Sequence, residues 1–384
     1  VNRLAFAALV LLAPSARAQT ATTAGTRGAR WGQCDAPAPT VGALPYDAPG
    51  GATRAGTTGY CVGVGMELFT QYALRLTNTD AGETEWFHAF ELTRGHAAIT
   101  GQYGPVSGRF VFEAVRSASE GALLGVAGDS LVMRVREAYG EWNGLRGGDT
   151  RGLELRAGVI PTLTVPEIEG TWRLRAVSPT PLEVTGLSAP ADLGMTLRYR
   201  LPLHLGWVGA GVYNGDGYAL RELNRGKNLE LAAAVHPFAT VRALAPLAVL
   251  GSYVAGSSGT GLARADRVTA GLLWQGERVR GGATFTWAWG VGDDGARPSW
   301  LLEGFVQAEP VRRLLLGARV LRWVRDDRVE TDHVTTVVAT AGARIAEPFE
   351  ALLAVERTIP GARAVQALPG SDRWEIRAVT RVVF

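Results

Sequence analysis

Five histidines and two cysteines are the side chains of this chain best suited to hold a metal or attack a substrate. The histidines are His88, His96, His204, His236 and His333. None has the H-x-x-x-H spacing that sets two imidazoles on one helical face around an ion. His88 and His96 lie in a segment that alternates like a strand, too far apart to share a metal. The glycines of "GVGMELF" and "GVYNGDGY" do not form G-x-G-x-x-G between a strand and a helix, so they read as strand and turn glycines. No G-x-S-x-G is present, and spacing does not pair Ser117, Ser119 or Ser252 with His333. The chain is therefore expected to have no catalytic residue, no metal site and no cofactor. Cys34 and Cys61 are expected to form a disulfide in an oxidising compartment. It would close a Pro- and Gly-rich loop and stabilise the fold by about 3 kcal/mol on the chain-entropy model.

The side chains whose spacing carries most information are charged. In the final segment Trp374, Ile376, Ala378, Thr380, Val382 and Phe384 fall on one face of a strand. Glu375, Arg377, Val379, Arg381 and Val383 fall on the other. A period of two turns one set to lipid and the other to an interior. Confining charge to one face fits a wall between hydrocarbon and water, because an Arg facing lipid near the midplane costs about 2–4 kcal/mol. The same alternation recurs around Arg109 and Glu113, Glu154 and Arg156, Glu230 and Arg280. Face parity makes Arg109, Glu113, Arg134, Arg136, Glu154, Arg156, Arg377 and Arg381 the candidate pore-lining residues. Trp287, Trp289, Trp300, Trp323 and Trp374 lie near segment ends, where an interfacial aromatic girdle would place them.

The elements that must position these residues are short strands. About sixteen segments, from 61–76 to 374–384, alternate in this way and are bounded by Gly, Asp, Asn or Pro. Short turns such as Gln275-Gly276-Glu277, Glu309-Pro310 and Glu347-Pro348 alternate with longer connections such as those containing Asn214-Gly215-Asp216-Gly217 and Asp293-Asp294-Gly295. If the first strand rises from the periplasm, every long loop falls outside. The expected fold is all-β: a transmembrane antiparallel barrel over residues 59–384. Residues 161–191 contain Pro161, Pro166, Pro179, Pro181 and Pro190 and are not expected to form a sheet strand.

Ahead of the barrel, Arg3, the apolar run from Leu4 to Pro14 and Ala16-Arg17-Ala18 read as a signal peptide over residues 1–18. Residues 19–58, rich in Gly, Ala, Pro and Thr, read as a flexible periplasmic leader. The net charge of +3 falls to +1 without Arg3 and Arg17, which excludes a strongly basic nucleic-acid binder.

Several segments resemble the phosphate-selective porin O/P family. They are "FELTRGHAAITGQYGPVSGRFVFEAV" (90–115), "REAYGEWN" (136–143), "LELRAGVIPTLTVPE" (153–167), "LGMTLRYRL" (193–201) and "GAGVYNGDGY" (209–218). The terminal Phe384 resembles the end signal of outer-membrane barrels. The resemblance covers residues 85–384 and implies a sixteen-stranded barrel in the bacterial outer membrane, usually a homotrimer, passing small hydrophilic solutes. It also implies that the third external loop, 161–191, enters the lumen. There Glu167 and Glu169 would oppose Arg173 and Arg175 across a constriction and orient polar solutes. Phosphate-selective members line the pore with lysine and arginine. Lys227 is the only lysine here, so phosphate specificity is not carried over. The function expected is passive diffusion of hydrophilic, including anionic, solutes. The alternative is a non-conducting barrel with a structural or loop-mediated binding role.

Overall fold

Backbone N–H and C=O groups find no partner in hydrocarbon, so a strand-built wall must close on itself. The computed structural model describes residues 32–33, 60–78, 83–116, 131–147, 151–219, 225–258, 260–290, 295–346 and 348–383. Within them sixteen long strands form a closed antiparallel barrel. They are β1 (Tyr60–Asn78), β2 (Thr84–Tyr103), β3 (Val106–Arg116), β4 (Leu131–Gly147), β5 (Arg151–Pro161), β6 (Ala191–Arg200), β7 (Gly206–Tyr213) and β8 (Asn228–Val235). There follow β9 (Leu247–Ala255), β10 (Arg267–Gln275), β11 (Val279–Trp289), β12 (Pro298–Ala308), β13 (Leu314–Val324), β14 (His333–Ala346), β15 (Phe349–Pro360) and β16 (Arg373–Val383). Each strand pairs with the next, and β16 returns to β1 in register from Arg373↔Thr77 to Val383↔Glu67. A two-residue strand, Gly32–Gln33, pairs parallel with the start of β1. The expected signal peptide, the rest of the leader, Cys34 of the expected disulfide and Phe384 lie outside the described residues.

The expected alternation is present. In β16, Trp374, Ile376 and Ala378 are exposed on the outer face, while Glu375, Arg377 and Val379 are buried inside. Leu229, Leu231, Leu302, Val306, Val320 and Leu353 are likewise exposed outward. No helix among the described residues is long and apolar enough to cross a membrane; the apolar outer band belongs to strands. Trp86, Trp289, Trp300 and Trp374 face outward at one end of the wall, and Tyr103, Trp142, Tyr199 and Trp274 at the other. Trp323 departs from the expected girdle. It falls in the inward phase of β13 and donates Nε1–H to Ser299 Oγ at 3.1 Å.

Connections are largely sorted by length. By the strands they join, the connections 104–105, 148–150, 201–205, 276–278, 309–313 and 347–348 belong to one end. The other carries 117–130, 162–190, 214–227, 256–266, 290–297, 325–332 and 361–372. Two connections break the pattern: 79–83 is short at the long-loop end, and 236–246 is long at the short-turn end. The latter folds as successive turns, with His236, Phe238, Val241 and Leu244 carbonyls accepting from residues three or four ahead.

Residues 162–190 carry two short helices, α1 (Thr164–Thr171) and α2 (Pro181–Val184). Leu163, Val165, Ile168, Trp172, Leu174 and Leu182 bury against inward side chains of the wall, among them Leu250, Leu273, Leu301, Phe305 and Leu315. Each fully buried aliphatic side chain stabilises this packing by about 1.5–3 kcal/mol. The hydrophobic core therefore lies inside the barrel, between this segment and β7–β16 together with Phe69 of β1.

Candidate functional site

Two β-bulges shape the charged half of the inner wall. Opposite β1, Phe69 and Thr70 pair with Arg94 and Leu92, leaving Thr93 extra. Opposite β3, Val111 and Phe112 pair with Glu137 and Val135, leaving Arg136 extra. A bulge switches which residues face inward. As a result the neighbours Arg136 and Glu137 are both buried inside. Glu113 of β3 lies between the bulges, completely buried. It accepts hydrogen bonds from Arg134 (2.8 Å), Arg94 (3.2 Å), Arg136 (3.3 Å) and the Tyr218 hydroxyl (2.7 Å), with His96 Nε2 at 3.3 Å. A carboxylate this deep is tenable only with such charge-assisted donors around it.

The other pore-lining candidates are also ion-paired. Arg109 contacts Glu137 at 2.8 Å, and Arg377 contacts Glu356 at 2.7 Å. Arg156 contacts Glu141 at 2.9 Å and Glu154 at 3.0 Å, while Arg200 reaches Glu154 at 3.3 Å. Arg381 bridges Glu67 at 2.6 Å and Glu350 at 3.0 Å.

Four pairs share an orientation, whereas Arg109–Glu137, Arg156–Glu141 and Arg377–Glu356 are about equally buried on both sides. The Arg75, Arg134, Arg200 and Arg344 side chains are 31%, 31%, 36% and 30% exposed, while their partners Glu375, Glu113, Glu154 and Glu350 are 3%, 0%, 2% and 9% exposed. The short carboxylates lie on the wall and the long arginines arch over them. At these positions the inner surface meets water as guanidinium.

The inserted segment is tied to both sides of the wall. On one side Glu230 of β8 accepts from the Leu163 N–H (2.9 Å), the Thr164 N–H (3.0 Å) and Thr164 Oγ1 (2.6 Å), placing a negative charge at the start of α1. Glu167 accepts from Trp207 Nε1 and Gln275 Nε2, both at 3.1 Å. Arg319 of β13 pairs with Glu303, lies 5.0 Å from the Trp172 ring centre, and donates to the Ser178 (3.0 Å) and Pro179 (2.7 Å) carbonyls. On the other side Arg94 of β2 contacts Glu183 at 2.7 Å, and Arg136 of β4 approaches Glu169 at 3.7 Å. Arg175 joins the two loop carboxylates, at 2.5 Å to Glu169 and 2.9 Å to Glu183. Burial pushes the Glu183 carboxyl up, but Arg175, Arg94 and Arg136 outweigh it and bring it down to about 2.

Glu169 and Arg175 are thus bonded to each other within the segment. Arg173 is the exposed one of the four loop candidates, held through its backbone N–H to Gln307 at 2.7 Å. Glu167 lies against the wall. Sequence reasoning missed Arg94, Tyr218, Glu183, Glu303 and Arg319 as members of these networks. Parity alone would have turned Glu303 and Arg319 inward. Among the described residues no cluster of His, Cys, Asp and Glu is assembled to hold a metal.

Solved structures of bacterial outer-membrane channels share this architecture. An anion-selective porin from Comamonas acidovorans is 12% identical over 85% of this chain and 100% of its own, with a TM-score of 0.58. OmpF of Salmonella typhi, in complex with daunomycin, is 12% identical over 83% of this chain and 97% of its own, with a TM-score of 0.57. The outer membrane channel DcaP of Acinetobacter baumannii is 10% identical over 85% and 98%, with a TM-score of 0.56. At such identities the likeness is one of fold. No family model and no curated protein matches the chain.

Proposed function

We propose that this protein is a passive diffusion channel of the bacterial outer membrane for small hydrophilic solutes, with a preference for anions. The carrying observation is that Arg75, Arg134, Arg200 and Arg344 arch over buried carboxylates, which gives the inner wall positive patches at these four places although the formal charges nearly balance. Fixed charge of one sign on a narrow aqueous path attracts the opposite ion and raises its share of the current. The segment 162–190 narrows that path, and Arg173 adds an exposed charge to it. The resemblance to the phosphate-selective porin O/P family supports the same reading, without phosphate specificity, and supports a homotrimer surrounded by outer-membrane lipid. The chemistry is that of a pore, not of an enzyme.

Planar bilayers with a salt gradient test the proposal. The purified protein should give discrete conductance steps and a reversal potential of anion-selective sign. Changing Arg156 and Arg381 together to Glu should lower the anion-to-cation permeability ratio. An unaltered ratio would remove both residues from the selective zone.

One observation favours the second reading, a non-conducting barrel acting through its loops. The inserted segment engages both sides of the wall and has a hydrophobic core behind it. Protein that inserts into bilayers, shown by protease protection, yet gives no conductance steps would establish that reading.

A further inference from the structure

Among the described side chains, charge on the outer face of the barrel is of one sign and at one end. Among the described strand side chains in the outward phase, Arg116, Arg322 and Arg357 carry a charge, and no carboxylate does. Arg116 is the last residue of β3, Arg322 lies two residues before the end of β13, and Arg357 three before the end of β15. All three strands run towards the long-loop end.

Two of these arginines belong to one belt. Arg322 pairs across β13–β14 with Thr335, and Thr335 across β14–β15 with Ile359. Arg357 pairs across β15–β16 with Trp374. The Arg357 guanidinium lies 5.5 Å from the Trp374 ring centre and contacts Asp372 at 2.5 Å. Trp374 is half exposed, and Arg322 is exposed with no hydrogen bond or ion pair among the described residues.

A guanidinium facing lipid is costly at the midplane and nearly free at the interface, so these positions sit at headgroup level. Tryptophan prefers that level too. Tolerating charge there does not explain why it is always positive, nor why the described outward side chains carry none at the short-turn end. An anionic partner confined to one leaflet explains both. Guanidinium presents a planar fork of donors that matches phosphate oxygens, with Thr335 adding a hydroxyl between the two arginines.

We propose that the belt of Arg322, Thr335, Arg357 and Trp374 binds the phosphate of a lipid headgroup in the leaflet at the long-loop end. The site is on the outside of the wall and does not depend on whether the barrel conducts.

The test uses the full chain in phosphatidylcholine nanodiscs containing either phosphatidic acid or diacylglycerol, which differ by the phosphate. After transfer to detergent, native mass spectrometry counts retained lipid. Wild type should retain phosphatidic acid over diacylglycerol by about tenfold, as expected for loss of one or two charge-assisted contacts. R322L/R357L should abolish the preference, and R322K/R357K should keep part of it. Equal retention of the two lipids by wild type, or an undiminished preference in R322L/R357L, would overturn the proposal. So would displacement of the lipid by inorganic phosphate, which would assign the belt to a free anion. If the leucine variant does not fold, the wild-type comparison and the lysine variant still decide.

Discussion

Glu113 shows what one inward carboxylate does when it is placed between bulges. Its carboxylate contacts Arg94, Arg134 and Arg136 at once, and no part of it reaches solvent. Glu113→Gln deprives the three guanidiniums of their common partner and leaves Arg136 deeply buried. Breaking a buried ion pair from one side costs about 3–5 kcal/mol. The variant should lower the urea unfolding midpoint of the barrel far more than Glu309→Gln, whose side chain is 32% exposed. Glu183 carries a pH dependence. Its carboxyl is lowered from the ordinary 4.5 to about 2 in the folded chain, so its tether to Arg94 and Arg175 is complete above 4.5 and lost as pH falls through about 2. Single-channel records should therefore keep the same noise from neutral pH to about 4.5 as far as this tether is concerned. Loosening should begin below that range. Parity made the inward direction of Arg109, Glu113, Glu154, Arg156, Arg377 and Arg381 legible from sequence. Their partners were not legible, because Glu113 meets Tyr218 across 105 residues and Arg381 meets Glu67 across 314.

At the scale of elements, strand alternation was readable because a period of two survives any register. The bulges were not recognised, although they left a trace. In "REAYGEWN" the adjacent charges Arg136 and Glu137 violate the period, and Thr93-Arg94 does so more weakly. The segment 162–190 was legible as a non-strand from its prolines, whereas its helices and its ties to β8 and β13 depend on contacts remote in sequence. Next to the β4 bulge, Gly158 of β5 adopts φ +126°, and a Cβ there would stand 2.3 Å from the Ala138 carbonyl oxygen. Only glycine accepts both constraints. Gly158→Ala should destabilise the barrel by about 1–3 kcal/mol, read as a lower temperature for loss of the folded band on unboiled gels.

For the molecule as a whole, the inserted segment packs on the inner side chains of the wall, and the proposed channel would be narrowed by it. Replacing residues 165–187 by a short Gly-Ser linker should raise single-channel conductance and weaken ion selectivity, because Arg173 and the struts to β2 and β4 are removed together. Conductance that does not change would mean that the segment lies clear of the permeation path. The closure of the wall has a separate consequence. Fifteen of the sixteen junctions join strands consecutive in the chain, but the β16–β1 junction joins residues 373–383 to residues 67–77. Hairpins can assemble locally, one after another, and still leave a ribbon with two raw edges. Closing that ribbon incurs its largest loop-entropy cost at the last step. The half-made barrel is thus vulnerable to pairing with a neighbour until that seam forms, and the same seam is where a single break would reopen the cylinder while leaving every local hairpin intact.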